Sequence, residues 1–204
     1  IEHFVENYDH IKLLGEAISA SKINAVTLAN CMFNPATLAT FVESVRWAEA
    51  AVEAVAIGGN PIGSAGGATL LETIKTSKLK TIDIGKPLPL QEPYESDTLD
   101  LSNTAMDPGH VLLLSWWLTT EFSAALNSIA LDGCLVTGTT FGTGYKEHQG
   151  GEYEVTEKLD ADLSGFNSFC LALKTSKIES LSLQKCYLGP EALAVLACLL
   201  YTSD

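Results

Sequence analysis

Apolar residues recur along this chain at positions 1, 4, 6 and 11 of a short template whose ninth position is Cys or Asn. Ile23, Val26, Leu28, Cys31 and Phe33 fill it once; Val52, Val55, Ile57, Asn60 and Ile62 fill it again. Two further copies run through Leu126, Ile129, Leu131, Cys134 and Val136, and through Ile178, Leu181, Leu183, Cys186 and Leu188. Leu79, Ile82 and Ile84 match the first half, after which Pro87-Leu88-Pro89 breaks the pattern. Leu99-Asp100-Leu101-Ser102 and Ala161-Asp162-Leu163-Ser164 are weaker candidates. A strand points alternate side chains to one face, so positions four and six share a buried side. The pattern predicts strands at about 23–28, 52–57, 79–84, 126–131 and 178–183, and a further one at 99–101.

Helix-length segments follow these strands, with apolar spacing near 3.6. Leu38, Phe41, Val42 and Val45 make one inward stripe, Leu70, Leu71 and Ile74 another, and Leu193, Leu196 and Leu199 or Leu200 a third. Pro35 and Pro190 stand where a helix would begin, the position at which a missing N–H costs nothing. Residues 8–20 read as a further helix. In the helix predicted from Pro108 to Phe122, apolar residues run almost all the way round, Trp116 and Trp117 among them. An outer helix needs only one apolar stripe. Something must therefore cover its second face: one of the stretches 85–98 and 137–160, or a partner protein.

Units of 27 to 29 residues with the pattern L-x-x-L-x-L-x-x-N/C-x-L resemble the leucine-rich repeat family, and within it the ribonuclease-inhibitor-like subclass. The Gly-Pro-Glu-Ala-Leu-Ala run at 189–194 is similar to that subclass's turn into the helix. The resemblance implies an α/β fold, a leucine-rich repeat solenoid forming a segment of a horseshoe. Parallel strands would line its concave face and helices its convex face. Residues 1–204 would be a single solenoid of about five to six repeats, with insertions at 85–98 and 137–162. Neither end carries a convincing polar cap, so a segment of a longer protein is expected.

Composition narrows the function. The net charge is −13 and the lysines are scattered singly, which argues against nucleic acid, whose phosphates call for a clustered basic surface. No apolar run reaches the ~20 residues of a membrane span. Cys31, Cys134 and Cys186, three of five cysteines, share the ninth position with Asn60. All four are expected to be buried as a structural ladder beneath the strands, without disulfide or metal. With no C-x-x-C, the cysteines suit a reducing, intracellular, cytoplasmic setting. Enzyme signals are thin. His3, His10, His110 and His148 are scattered, and the glycines around 142–151 lack a phosphate-loop lysine. No catalytic residue and no cofactor is assigned.

What remains is recognition. Residues between the inward positions would face a partner: Thr27 and Asn30, Ala56 and Gly59, Lys80 and Asp83, Asp100 and Asn103 among them. The candidate partner-binding set is Lys80, Asp83, Lys86, Tyr94, Asp97, Asp100, Asp132 and Lys185, with Tyr145, His148 and Tyr153 from the second insertion. The expected function is a protein–protein interaction module without catalytic activity, its partner a protein. Uncapped ends would also permit self-association. A structural subunit of a large assembly is one alternative. The other is a GTPase-activator-like regulator, a role the same subclass includes, although Arg46 is the only arginine that could act as a finger.

Overall fold

In the computed structural model, residues 7–146 and 151–201 are described. Among them the chain forms six helices: α1 (Asp9–Ser19), α2 (Pro35–Ser44), α3 (Gly63–Thr76), α4 (Pro108–Leu118), α5 (Ser164–Thr175) and α6 (Pro190–Tyr201). Six short strands of the repeated template stand at β1 (Ala25–Thr27), β2 (Ala54–Ala56), β3 (Thr81–Asp83), β5 (Thr98–Asp100), β6 (Ser128–Ala130) and β9 (Ser180–Ser182). Three more belong to the stretches between units: β4 (Pro87–Pro89), β7 (Thr140–Lys146) and β8 (Gly151–Lys158). Each template strand is three residues long, shorter than the sequence pattern suggests, although flanking backbone such as Leu28 N to Ala56 O still bonds to the next unit.

The expected single solenoid with one continuous parallel sheet is not what the chain forms. Its strands divide among three sheets, one of them mixed. In the first, β1, β2 and β3 run parallel, with Val26, Val55 and Ile82 in register. Here β4 pairs antiparallel to β3, setting Leu88 opposite Ile82. In the second, β5, β6 and β9 are parallel through Leu99, Ile129 and Leu181. The third is the antiparallel pair β7–β8. The physical cause of the break lies at Gly85, where φ is +122° and the chain doubles back. A Cβ there would sit 2.5 Å from that of Thr104, so glycine is required for the backbone to pass. The returning segment, β4, then occupies the edge of β3 that β5 would otherwise have used.

The helices pack in chain order, each against the next. Between helices and strands lies one core, in which Ile57, Ile82, Ile84, Leu99, Leu101 and Leu131 meet Leu38, Phe41, Leu70, Trp117, Phe166 and Phe169. α2 and α4 begin at prolines behind the side-chain caps Asn34 and Asp107. Asp107 also accepts from Gly63 N at 2.6 Å, which ties the start of α3 to the start of α4.

The chain itself covers the second face of α4. Trp117 is fully buried; its Nε1 donates to Pro89 O at 2.8 Å, and Tyr94 packs edge-on against it at 5.6 Å. Both partners come from the stretch 85–98, which therefore folds onto its own domain. Trp116 is only partly buried and borders a groove between α4 and α5, with Leu112 and Leu171. The stretch 137–162 carries the β7–β8 hairpin. Its base is fixed by Thr139, which donates to Tyr187 O at 2.9 Å, by Phe141 edge-on to Tyr187, and by Asp160. The Asp160 carboxylate accepts from Gly189 N, Glu191 N and Ala192 N, capping α6.

Candidate binding pocket at the break between sheets

Five of the six template strands, all but β3, hand over to their turns at position eight, and there the backbone is left-handed. Asn30, Gly59, Asn103, Gly133 and Lys185 have φ of 56°, 71°, 58°, 72° and 57°. Asn tolerates this region better than most residues with a side chain, and Gly adopts it freely. Position nine then turns beneath the strand. Asn60 is the fullest case: its Oδ1 accepts from Cys31 N at 2.9 Å and Phe33 N at 3.0 Å. Its Nδ2 donates to Leu28 O at 2.8 Å and Ile57 O at 2.7 Å. The thiols of Cys134 and Cys186 donate to Leu101 O and Leu131 O, the carbonyls of the preceding strands. Burial raises the Cys186 thiol to about 11.

Cys31 departs from the expected burial. It is exposed, and its thiol reaches only its own Ala29 O at 3.5 Å. A ninth-position side chain is buried by the strand before it, and among the described residues none lies on the far side of β1. All five cysteines are free thiols.

Beyond the carboxyl ends of β1, β2 and β3 lies a pocket of about 400 Å³. The final residues of the three strands, Thr27, Ala56 and Asp83, form one side of it. The turn residues Asn30, Gly58, Gly59 and Gly85 form another, and Asn103, Thr104 and Ala105 close it from the second sheet. Gly58 has to be glycine here, because a Cβ would meet Gly85 N at 2.6 Å. Open α/β sheets commonly hold ligands outside the carboxyl ends of their strands, where the strand order is interrupted.

Of the candidate partner-binding residues, Asp83 alone lines this pocket. Lys80 pairs with Glu53 at 2.8 Å and Lys86 is exposed. The Asp100 carboxyl is held below the usual range by hydrogen bonds from Ser102, with a smaller contribution from the charge of Lys86. Asp97 is exposed. Asp132 is occupied in holding β6 to β9, its Oδ1 accepting from Ser182 Oγ at 2.6 Å and Gln184 N at 2.8 Å. Lys185 is exposed on the second sheet. Tyr94 is half-buried against Trp117, away from the strand ends, and its burial raises the phenol. Tyr145 and Tyr153 belong to β7 and β8, but their side chains, like all of His148, lie outside the described residues. Arg46 pairs with the neighbouring Glu49 at 3.0 Å.

Asn30, Asn103 and Thr27 were legible as outward positions; Thr104 and Gly85 were not. Among the described residues, no group of three His, Cys, Asp or Glu side chains is placed to hold a metal ion. None of their helices is long and apolar enough to cross a membrane. No protein-family model matches the chain, and no curated protein matches it significantly.

Proposed function

We propose that this chain is a protein-interaction module that takes a segment of a partner polypeptide across the strand ends of its first sheet. The observation that carries this reading is the pocket at the break between sheets, open and lined by backbone, small residues and polar side chains. Such a lining supports binding rather than catalysis: Asp83 is its one ionisable group, and no acid–base or nucleophile pair accompanies it. The resemblance of the strand template to leucine-rich repeats points the same way. Five free thiols support a reducing, cytoplasmic setting.

The test is selection from a random peptide library on the whole chain, followed by binding to a variant in which Ala56→Trp fills the pocket. Selected peptides should lose binding to Ala56→Trp, whose thermal melt establishes that it folds. They should keep binding to Glu191→Lys, a change at the start of α6. Peptides that bind the filled pocket as well as the open one would refute the reading.

A further inference from the structure

We infer that the free edge of β9 docks an extended segment of a partner polypeptide, parallel to it, with a basic residue, two apolar residues and an asparagine at fixed intervals. This surface is separate from the pocket above, and neither reading depends on the other. The parallel joints β1–β2, β5–β6 and β6–β9 share one set of backbone bonds. The sixth-position N–H donates to the fifth-position carbonyl of the next unit: Leu28 to Ala56 and Leu101 to Ala130 at 2.8 Å, and Leu131 to Ser182 at 2.9 Å. The eighth-position N–H donates to the seventh-position carbonyl: Asn30 to Gly58 at 3.0 Å, Asn103 to Asp132 at 2.7 Å and Gly133 to Gln184 at 2.8 Å. The second-position carbonyl accepts in return, as Asn127 O does from Glu179 N and Ser180 N. In the last unit Leu183 N, Lys185 N and Glu179 O have no hydrogen-bond partner among the described residues. Such an edge is a template for pairing with another chain. Its direction follows from the spacing of these groups, which a parallel strand matches.

The side chains along the edge specify what the segment carries. Ile129 and Leu131, covered by β9, are 1% and 0% exposed, whereas Leu181 and Leu183 are only partly buried, so the fourth and sixth residues should be apolar. At position two, Glu53 pairs with Lys80 of the next unit at 2.8 Å. Glu179 holds that place on β9, exposed and without an ion pair among the described residues, and calls for a lysine. At position nine, Asn60 spans a joint by accepting from Cys31 N and Phe33 N and donating to Leu28 O. The corresponding Cys186 N, Leu188 N and Leu183 O have no partner among the described residues. A thiol could reach the carbonyl but is a weak acceptor for the two N–H groups, so asparagine is the residue that completes all three.

A second copy of the chain fits less well. Its β1 carries Asn24 and Cys31 at the second and ninth positions. Stacking β1 on β9 would also bring α1, which packs on α2, into the place of α6.

Uniformly 15N-labelled chain should be titrated with the capped peptide Leu-Lys-Thr-Ile-Ala-Ile-Gly-Gly-Asn-Pro-Ile. Companion peptides carry alanine in place of asparagine, glutamate in place of lysine, or the same residues in reverse order. The first peptide should shift the amides of Leu183, Lys185, Cys186 and Leu188 saturably in the millimolar range and slow their hydrogen exchange. The alanine peptide should bind roughly fivefold more weakly or worse. Glu179→Lys should prefer the glutamate peptide to the lysine peptide, and unchanged shifts elsewhere in its spectrum establish its fold. Equal binding of the reversed peptide, no loss with the alanine peptide, or no shift at these amides would each overturn the inference. Shifts confined to Gly58, Gly59 and Gly85 would put the peptide in the pocket instead, which overturns the edge assignment and leaves the pocket reading standing.

Discussion

Asn60→Ala removes a side chain that completes four backbone groups at once. Two of them, Phe33 N and Ile57 O, are bonded in fully buried surroundings, and two, Cys31 N and Leu28 O, lie nearer the surface. An orphaned buried backbone group costs ~1–3 kcal/mol, and those near water recover part of that, so the total is roughly 3–5 kcal/mol. For a chain of 204 residues a loss of 4 kcal/mol corresponds to a melting temperature lower by roughly 8–16 °C. In urea, with m of about 2–3 kcal/mol/M, the midpoint should fall by ~1.3–2 M at unchanged m. Tryptophan fluorescence from Trp47, Trp116 and Trp117 and far-ultraviolet dichroism should follow the same transition. Cys134→Ala is the informative companion. It removes a comparable side chain from the same template position but breaks one weak thiol contact to Leu101 O, at a cost of ~1–2 kcal/mol. If Asn60→Ala costs under ~1 kcal/mol, or no more than Cys134→Ala, the hydrogen bonds of position nine do not hold the units together and packing alone does.

Three further outcomes follow from the same geometry. A thiol reagent should modify Cys31 and Cys198 at once and Cys134, Cys170 and Cys186 only on unfolding; fast reaction of all five would contradict the burial. Burial raises the Cys170 and Cys186 thiols from 9.0 to about 11, so the unfolded chain loses these protons first. Their contribution to stability is therefore complete below pH 9.0 and is lost as the pH rises towards 11; urea midpoints that do not fall across that window would refute it. Gly85→Ala should cost roughly 2–3 kcal/mol through its left-handed φ and the contact with Thr104, and a neutral melt would show that the turn at the break is not constrained. Trp117→Phe should cost ~1–3 kcal/mol by leaving Pro89 O without its donor, and a smaller loss would mean that this carbonyl reaches water.

The ladder was readable from sequence because its signal is local: apolar residues at fixed intervals and a polar or thiol side chain at a fixed ninth place. The fate of Cys31 was not, because periodicity gives a residue its place in a unit but not a neighbour to bury it. The antiparallel β4 was hidden by its prolines, which argue against a central strand. An edge strand tolerates them, and the signal that could have revealed it is the alternation of Pro87 and Pro89 with the buried Leu88 and Leu90. The β7–β8 hairpin was read only as an insertion, since Gly142, Gly144 and Gly151 interrupt its strands with residues poor in β propensity. The pocket could not be read at all. Asp83 and Asn103 are ordinary outward positions in separate units, and only the tertiary break brings them to one cavity.

That break and the pocket have one cause. Where β2 meets β1, Asn60 reaches across to the carbonyl of Leu28, and Cys134 does the same for Leu101 where β6 meets β5. Between β3 and β5 the corresponding link is missing. Position nine after β3 is Pro87, which enters β4 instead of turning beneath the strand. Position nine after β5 is Thr104, whose hydroxyl donates to Leu101 O of its own unit at 2.6 Å, not to a carbonyl of β3. With neither strand pairing nor a position-nine link between β3 and β5, the strand ends of the two sheets meet turn to turn, at the close approach of Gly85 to Thr104, above the core they share. A turn packed on a turn leaves polar side chains on either side without the neighbours a continuous sheet would give them. Asp83 is left in that condition, and restoring the link with Thr104→Asn should both stabilise the seam and narrow the pocket. A variant that gained stability yet bound the selected peptides as well as before would show that the seam and the binding site are independent.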